Sequence, residues 1–187
     1  MIRHPLVLGD SRTTAGGADA DLVAAAQRGD RGAFGLLYER YGPMVHGILL
    51  ARVPWEHAED LVQDVFLVAL QRLASLRTPA AFGGWLATIA RNRATDHHRQ
   101  DRRAEEVELE ELPAAPPEDH GEALAVLDAI RALPDTYRET LTMRLVEGMT
   151  GPEIAARTGL TEGSVRVNLH RGMKQLKERL ALNREGR

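Results

Sequence analysis

Residues 104 to 122, AEEVELEELPAAPPEDHGE, divide this chain in two. The stretch holds eight carboxylates (Glu105, Glu106, Glu108, Glu110, Glu111, Glu118, Asp119 and Glu122), no lysine or arginine, and three prolines, Pro113, Pro116 and Pro117. It has too little apolar surface to offset the entropy of ordering it, and its charges repel one another, so it reads as an acidic linker rather than part of a core. The 187 residues are therefore expected to form two small units, 19–103 and 123–187. A loose tail is expected at 1–18, where Thr13, Thr14, Gly16 and Gly17 show no sustained apolar period.

On both sides of the linker the apolar residues recur at three- and four-residue steps, the period of a helix with one buried face. Leu22, Val23 and Ala26 mark a first helix, broken at Gly29-Asp30. Phe34, Leu37, Tyr38, Tyr41, Val45, Ile48 and Leu49 mark a second that runs to about Val53, with a kink expected at Gly42-Pro43. Pro54 opens a third, where its missing N–H costs nothing, with Val62, Val65, Phe66, Ala69, Leu70 and Leu73 inward. After the loop Leu76 to Ala80 a fourth buries Phe82, Trp85, Leu86, Ile89 and Ala90. Beyond the linker come helices at about 123–132 and, after Pro134, 135–147. With no alternating strand pattern, the fold class is all-α: a four-helix N-terminal domain and a smaller helical C-terminal domain.

Composition narrows the setting. An apolar fraction of 43% and mean hydropathy of -0.30 suit a soluble globular chain. The longest apolar runs, such as 47–53, fall well short of the ~20 residues that span a bilayer, and Met1 to Gly17 carries no export signal, so a cytoplasmic protein without membrane insertion is expected. No cysteine is present, which removes disulfides and makes a zinc site improbable. The net charge of -3 is misleading, because the linker accounts for -8 and leaves +5 elsewhere. Residues 162–187 hold seven basic against three acidic residues, and 85–103 hold five arginines against Asp96 and Asp101. Positive charge thus collects at one place in each domain, although a basic helix face is often no more than solvated. Lys174 and Lys177 are the only lysines.

Residues 150–172, TGPEIAARTGLTEGSVRVNLHRG, have the form of a helix-turn-helix. Ala155 suits a close helix crossing, and Gly159, four residues on, suits the left-handed residue that ends a helix. Thr161 is placed to cap the next helix, and Val165 to plug the space between the two, with Ile154, Leu160 and Leu169 completing the seam. Ser164, Arg166, Val167, His170, Arg171 and Lys174 then face outward. Arginine there matches guanine O6 and N7 or phosphate, and the valine methyls match a thymine methyl. A helical hairpin with no DNA partner has the same outline. Gly172 is unexplained by this pattern, since glycine costs about 1 kcal/mol relative to alanine in a helix interior.

Two features of the first domain also ask for a role. Asp60, Gln63 and Asp64 share one helical stripe opposite Val62, Val65 and Phe66, which fits a protein-docking face or a plain solvated one. Residues 82–103, FGGWLATIARNRATDHHRQDRR, set Trp85, Asn92 and Asp96 among Arg91, Arg93 and further arginines, a mixture suited to splayed bases and their phosphates. Trp85 alone is as well explained as core. Adjacent His97 and His98 point about 100° apart on a helix and make a poor metal pair with Asp96. No nucleophile–base set or phosphate loop is recognisable, so no catalytic residue, metal or cofactor is expected.

Taken together, DADLVAAAQRGDRGAFGLLYERY, AEDLVQDVFLVAL, FGGWLATIARNRATDHHRQDRR and LPDTYRETLTMRLVEGMTGPEIAARTGLTEGSVRVNLHRGMKQLKERL, in this order over about 19–182, resemble the extracytoplasmic-function (ECF) type of sigma factor of bacterial RNA polymerase, of the sigma-70 family. The resemblance implies a region 2-like domain at 19–103 and a region 4-like domain at 123–187. It implies that Asp60, Gln63 and Asp64 dock on the clamp coiled coil of core RNA polymerase, and that the second domain docks on its flap. The first domain would capture the melted -10 element of promoter DNA through Asn92, with the loop Leu76, Arg77, Thr78, Pro79 and Ala80 pocketing a base and Trp85, Arg91, Arg93 and Asp96 nearby. The second would read the -35 duplex through positions matching Arg166, Val167, His170 and Arg171. The linker would thread basic channels of the polymerase, and an anti-sigma factor that covers both reading surfaces is a further expected partner. Val167, Asn168 and Gly172 depart from the pattern of many relatives. A stand-alone helix-turn-helix regulator is the competing reading, which leaves Asp60, Gln63 and Asp64 without a task.

Overall fold

The computed structural model describes residues 12–107 and 122–185. Most of the expected linker and residues 1–11 of the expected tail lie outside them. Among the described residues there are eight α-helices and two 3-10 turns, and no strand.

The first unit comprises α1 (Arg12–Gln27), α2 (Arg31–Leu50), α3 (Trp55–Arg72) and α4 (Phe82–Val107). Side chains set several of these limits. Asp30 caps α2 by accepting the Ala33 N–H at 3.0 Å, the kind of bond whose loss costs about 1 kcal/mol. Pro54 directly precedes α3. The 3-10 turns Leu73–Ser75 and Pro79–Ala81 carry the chain from α3 to α4. Leu37, Met44, Val45, Ile48 and Leu49 of α2 are fully buried against Val23, Val65, Phe82 and Leu86. Tyr41 meets Phe82 edge-on at 5.0 Å, and Trp85, partly buried, lies 5.8 Å from the same ring.

The second unit comprises α5 (Glu122–Arg131), α6 (Asp135–Leu145), α7 (Gly151–Thr158) and α8 (Glu162–Glu185). Its own small core gathers Ala129, Ile130, Leu133, Leu141 and Leu176. Gly172 is explained here. A Cβ at that position would lie 2.9 Å from both Leu141 Cδ1 and Tyr137 Cβ, so α8 approaches α6 more closely than alanine allows.

Several expectations need correction. The first helix begins at Arg12 rather than at Asp19 and includes Gly16 and Gly17; adding turns to a helix already packed through Val23 and Ala26 avoids the cost of nucleation. α4 runs four residues into the expected linker, since Ala104, Glu105 and Glu106 are good helix formers and the first proline is Pro113. α2 ends at Leu50 rather than near Val53. Leu70 and Leu160, assigned to buried faces, are exposed: each sits at the margin of its helical stripe, where periodicity alone does not decide burial.

The two units also pack on each other. Gly47 of α2 faces Met143 of α6, whose Cγ would lie 2.8 Å from an added Cβ. Gly83 of α4 faces α7, and a Cβ there would overlap the Arg157 carbonyl. Arg131 Nε donates to the Leu50 carbonyl at 3.0 Å and its Nη2 to that of Val53 at 2.6 Å, satisfying carbonyls that the end of α2 leaves unpaired. Arg157 donates to the Arg40 carbonyl. Leu127, Met143, Met149, Ile154, Ala155 and Val165 thereby join the core of the first unit.

Candidate nucleic-acid interface

α7 and α8 are placed by local bonds that their sequence dictates. Thr150 and Glu153 form a reciprocal cap: the Glu153 carboxylate accepts the Thr150 N–H at 2.8 Å, and Thr150 Oγ1 accepts the Glu153 N–H at 3.4 Å. The Thr150 backbone bond, followed by that of its hydroxyl, holds the Glu153 carboxyl below its ordinary value. Gly159, at φ 76°, ends α7 in the left-handed region and donates to the Ala155 carbonyl at 3.1 Å. Thr161 Oγ1 then accepts the Ser164 N–H at 3.1 Å and starts α8. Ile154, Ala155 and Val165 are buried between the helices.

This fixes which face of α8 is presented. Ser164, Arg166, Val167, His170, Arg171 and Lys174 are all exposed, Val167 at 44%. Asn168 is buried and turned away from that face, so it is not available to a base edge. His170 and Lys174 also line a groove of about 500 Å³ with Arg144, Leu169, Met173 and Lys177. Arg144 and Lys177 extend the basic surface beyond the expected set, and the one-turn step from Lys174 to Lys177 is the signal that locates the second of them.

In the first unit, Asp60 and Gln63 are exposed and Asp64 is half-buried on α3, 3.8 Å from Arg93. Leu67 and Leu70, 57% and 51% exposed, continue the same face at helical spacing. The stripe is therefore acidic at one end and apolar at the other, which reading Leu70 as core had concealed.

α4 divides the candidate residues among three faces. Trp85, Asn92 and Asp96 share one, with Asn92 and Asp96 exposed. Trp85 lines a cleft of about 540 Å³ with Leu76, Arg77, Thr78 and Ala80, closed on one side by Ala156 and Gly159 of the second unit. Gln27 fixes the loop by donating to the carbonyls of Leu73 at 3.0 Å and Leu76 at 2.8 Å. Leu76 itself is buried and supports the cleft, and Pro79 starts the 3-10 turn beside it. The second face carries Arg93 toward Asp64 and stacks His97 near His57, ring centres 4.7 Å apart. Among the described residues no three His, Cys, Asp or Glu side chains are grouped to hold a metal ion. The third face carries Arg91 to Glu139 of α6, with Arg91 Nη2 2.8 Å from Glu139 Oε2.

Comparison with known proteins matches these two units separately and in order. Residues 37–104 match the Sigma-70 region 2 family and residues 123–176 the Sigma-70, region 4 family. The chain is 35% identical over 159 residues to the RNA polymerase sigma factor CarQ of Myxococcus xanthus, covering 81% of this chain and 91% of that protein. It is 34% identical over 167 residues to the ECF RNA polymerase sigma factor BldN of Streptomyces coelicolor, covering 83% of this chain and 63% of BldN. The solved structure of CnrH in complex with the cytosolic domain of CnrY superposes with a TM-score of 0.59 at 29% identity, covering 88% of this chain and 98% of that one. The fold and the two family matches are those of a promoter-specific transcription initiation factor. The chain belongs to the ECF sigma factors of RNA polymerase. No helix among the described residues is long and apolar enough to cross a membrane.

Proposed function

We propose that residues 123–187 read the -35 element as duplex DNA, with Arg166, Val167, His170 and Arg171 of α8 in the major groove and Ser164 and Lys174 at its edge. The observation that carries this reading is the uninterrupted exposure of that face on a helix set by the Gly159 turn. Arginine supplies bidentate pairing and Val167 an apolar contact, so the preferred sequence should include a thymine opposite Val167. The first domain, 19–103, takes the melted -10 strand, with Asn92 and the cleft beneath Trp85 receiving an unstacked base and Arg91 and Arg93 near its phosphates. Asp60, Gln63 and Asp64 dock core RNA polymerase, and Leu67 and Leu70 extend that contact. The chain acts by binding alone, in the cytoplasm, without catalytic residues or cofactor.

An anti-sigma factor, as NepR is to the sigma factor RpoE of Bartonella quintana, is also proposed as a partner of this chain. Run-off transcription with purified core polymerase on a pool of genomic promoters tests the whole reading. New start sites sharing -10 and -35 elements are the expected result. A chain that shifts duplex DNA alone yet neither binds core nor starts transcripts would be a free-standing regulator instead.

A further inference from the structure

Glu139 is an unusual residue for an interface between two domains. Its side chain is only 10% exposed, and both its oxygens are taken by arginines of the other domain. Glu139 Oε1 accepts Arg52 Nε at 2.9 Å, Arg52 Nη2 at 2.7 Å and Arg91 Nε at 3.0 Å. Oε2 accepts Arg91 Nη2 at 2.8 Å. Two guanidinium groups thus converge on one singly charged anion, with exposed Asp135 also 3.1 Å from Arg52.

The fork is organised from within the first domain. Arg52 lies in the turn after α2, and His98 of α4 donates from Nε2 to its carbonyl at 2.8 Å. That bond ties the turn to α4, the helix that also carries Arg91 and Asn92. Arginine pairs of this geometry bind a carboxylate or a phosphate diester equally well by shape and charge, since both offer two oxygens sharing one negative charge. The glutamate stands where an anion is wanted, against the face of α4 adjacent to the one that carries Asn92.

We propose that Arg52 and Arg91 form a phosphate-binding site for the melted -10 strand, and that Glu139 occupies it when the chain is closed. The second domain thereby competes with promoter DNA for the first. The inference rests on the promoter reading above for the identity of the phosphate. A second observation supports closure as a built state rather than a lone ion pair. Gly47 and Gly83 both lack the Cβ that Met143 and the Arg157 backbone would otherwise strike, so the surfaces interlock beyond the clasp itself.

The test uses the full chain. It has no cysteine, so Gln71→Cys and Glu178→Cys, both exposed, supply dye positions on α3 and α8. Energy transfer reports domain separation, and anisotropy of a labelled single-stranded oligonucleotide carrying the -10 sequence reports DNA binding without polymerase. Glu139→Gln is isosteric and should separate the dyes and tighten oligonucleotide binding about five- to tenfold, because apparent affinity scales with the open fraction. Gly83→Ala leaves every charge in place and should act in the same direction. In the Glu139→Gln background, Arg52→Gln should weaken binding and lower the slope of log affinity against log salt by about 0.7, the value for one lost contact on a single strand.

Unchanged energy transfer and affinity in both Glu139→Gln and Gly83→Ala would overturn the competition. An unchanged salt slope in the Arg52→Gln variant would overturn the phosphate site. Failure of the promoter reading shows differently, as an absence of core-dependent transcripts from the unmutated chain and Glu139→Gln alike.

Discussion

The two surfaces assigned to DNA differ in what they touch when no DNA is bound. On α8, Arg166, Val167, His170 and Arg171 face solvent and the neighbouring side chains serve only to hold the helix. On α4, Arg91 is committed to Glu139, Arg93 leans toward Asp64, and the cleft under Trp85 is walled in part by Ala156 and Gly159. One surface is displayed and the other is covered in part by the same chain, with Asn92 and Asp96 left exposed. The difference follows from what each has to recognise. A duplex is a rigid partner that a fixed helix can meet directly, whereas a melted strand exists only after polymerase has opened the promoter, so its site can be shielded until then.

The strongest way to break this comparison is to damage the displayed surface alone. Replacing Arg166 and Arg171 together by alanine should reduce transcription from a -35-dependent promoter by tenfold or more, on the basis of ~1–3 kcal/mol per bidentate base contact. Energy transfer between the domains should not move. A fall in both would mean that α8 also stabilises closure.

Next in size is the support beneath that surface. Gly172→Ala drives a methyl into Leu141 and Tyr137, at a cost of roughly 1–3 kcal/mol for overpacking, against about 1 kcal/mol recovered in helix propensity. A net loss of up to about 2 kcal/mol is expected in urea unfolding, and a smaller loss in the Leu141→Ala background would locate the clash. Thr150→Ala removes the reciprocal cap of α7 and should cost about 1 kcal/mol by the same measurement.

The smallest effect sharpens the comparison by pH. His46 of α2 faces Glu147 of α6 at 2.7 Å. Its hydrogen bond to Glu147 raises its pKa above 6.5, against opposing burial, with the charges of Glu147 and Glu59 adding to the rise. A histidine raised by closure favours the closed chain fully below its free value and ceases to do so as pH climbs through the raised one. Domain separation should therefore be greater at pH 8.5 than at pH 6, and His46→Gln should flatten that dependence. Exposure of the α8 face should be the same at both.

What could be seen in the sequence depended on how far apart the cooperating residues lie. The helix-turn-helix was visible because Ala155, Gly159, Thr161 and Val165 act within one or two turns of each other, where spacing translates directly into geometry. The fold class was legible for the same reason. Arg52 and Glu139 are 87 residues apart, on different domains, and no period connects them. Nor does the composition of either helix mark Glu139 as buried, since a glutamate on an amphipathic helix is ordinarily solvated. Gly172 is an anomaly within its own helix, because its reason is a neighbour in α6. Gly47 and Gly83 carry the same message about the domain interface, and nothing in their local sequence announces it.

The pairing of Lys174 and Lys177 along one groove has a practical side. Apart from the α-amino group, they hold all the primary amines of the chain. Reagents that modify lysine will therefore collect on a single helix turn at the edge of the face proposed for the -35 element. Coupling through amines to a sensor surface or resin would anchor the protein by that face and hide it, so a negative DNA-binding result from such a preparation would report on the attachment rather than on the protein. Partial amine modification, read out residue by residue with duplex present and absent, turns the same restriction into a footprint with almost no background.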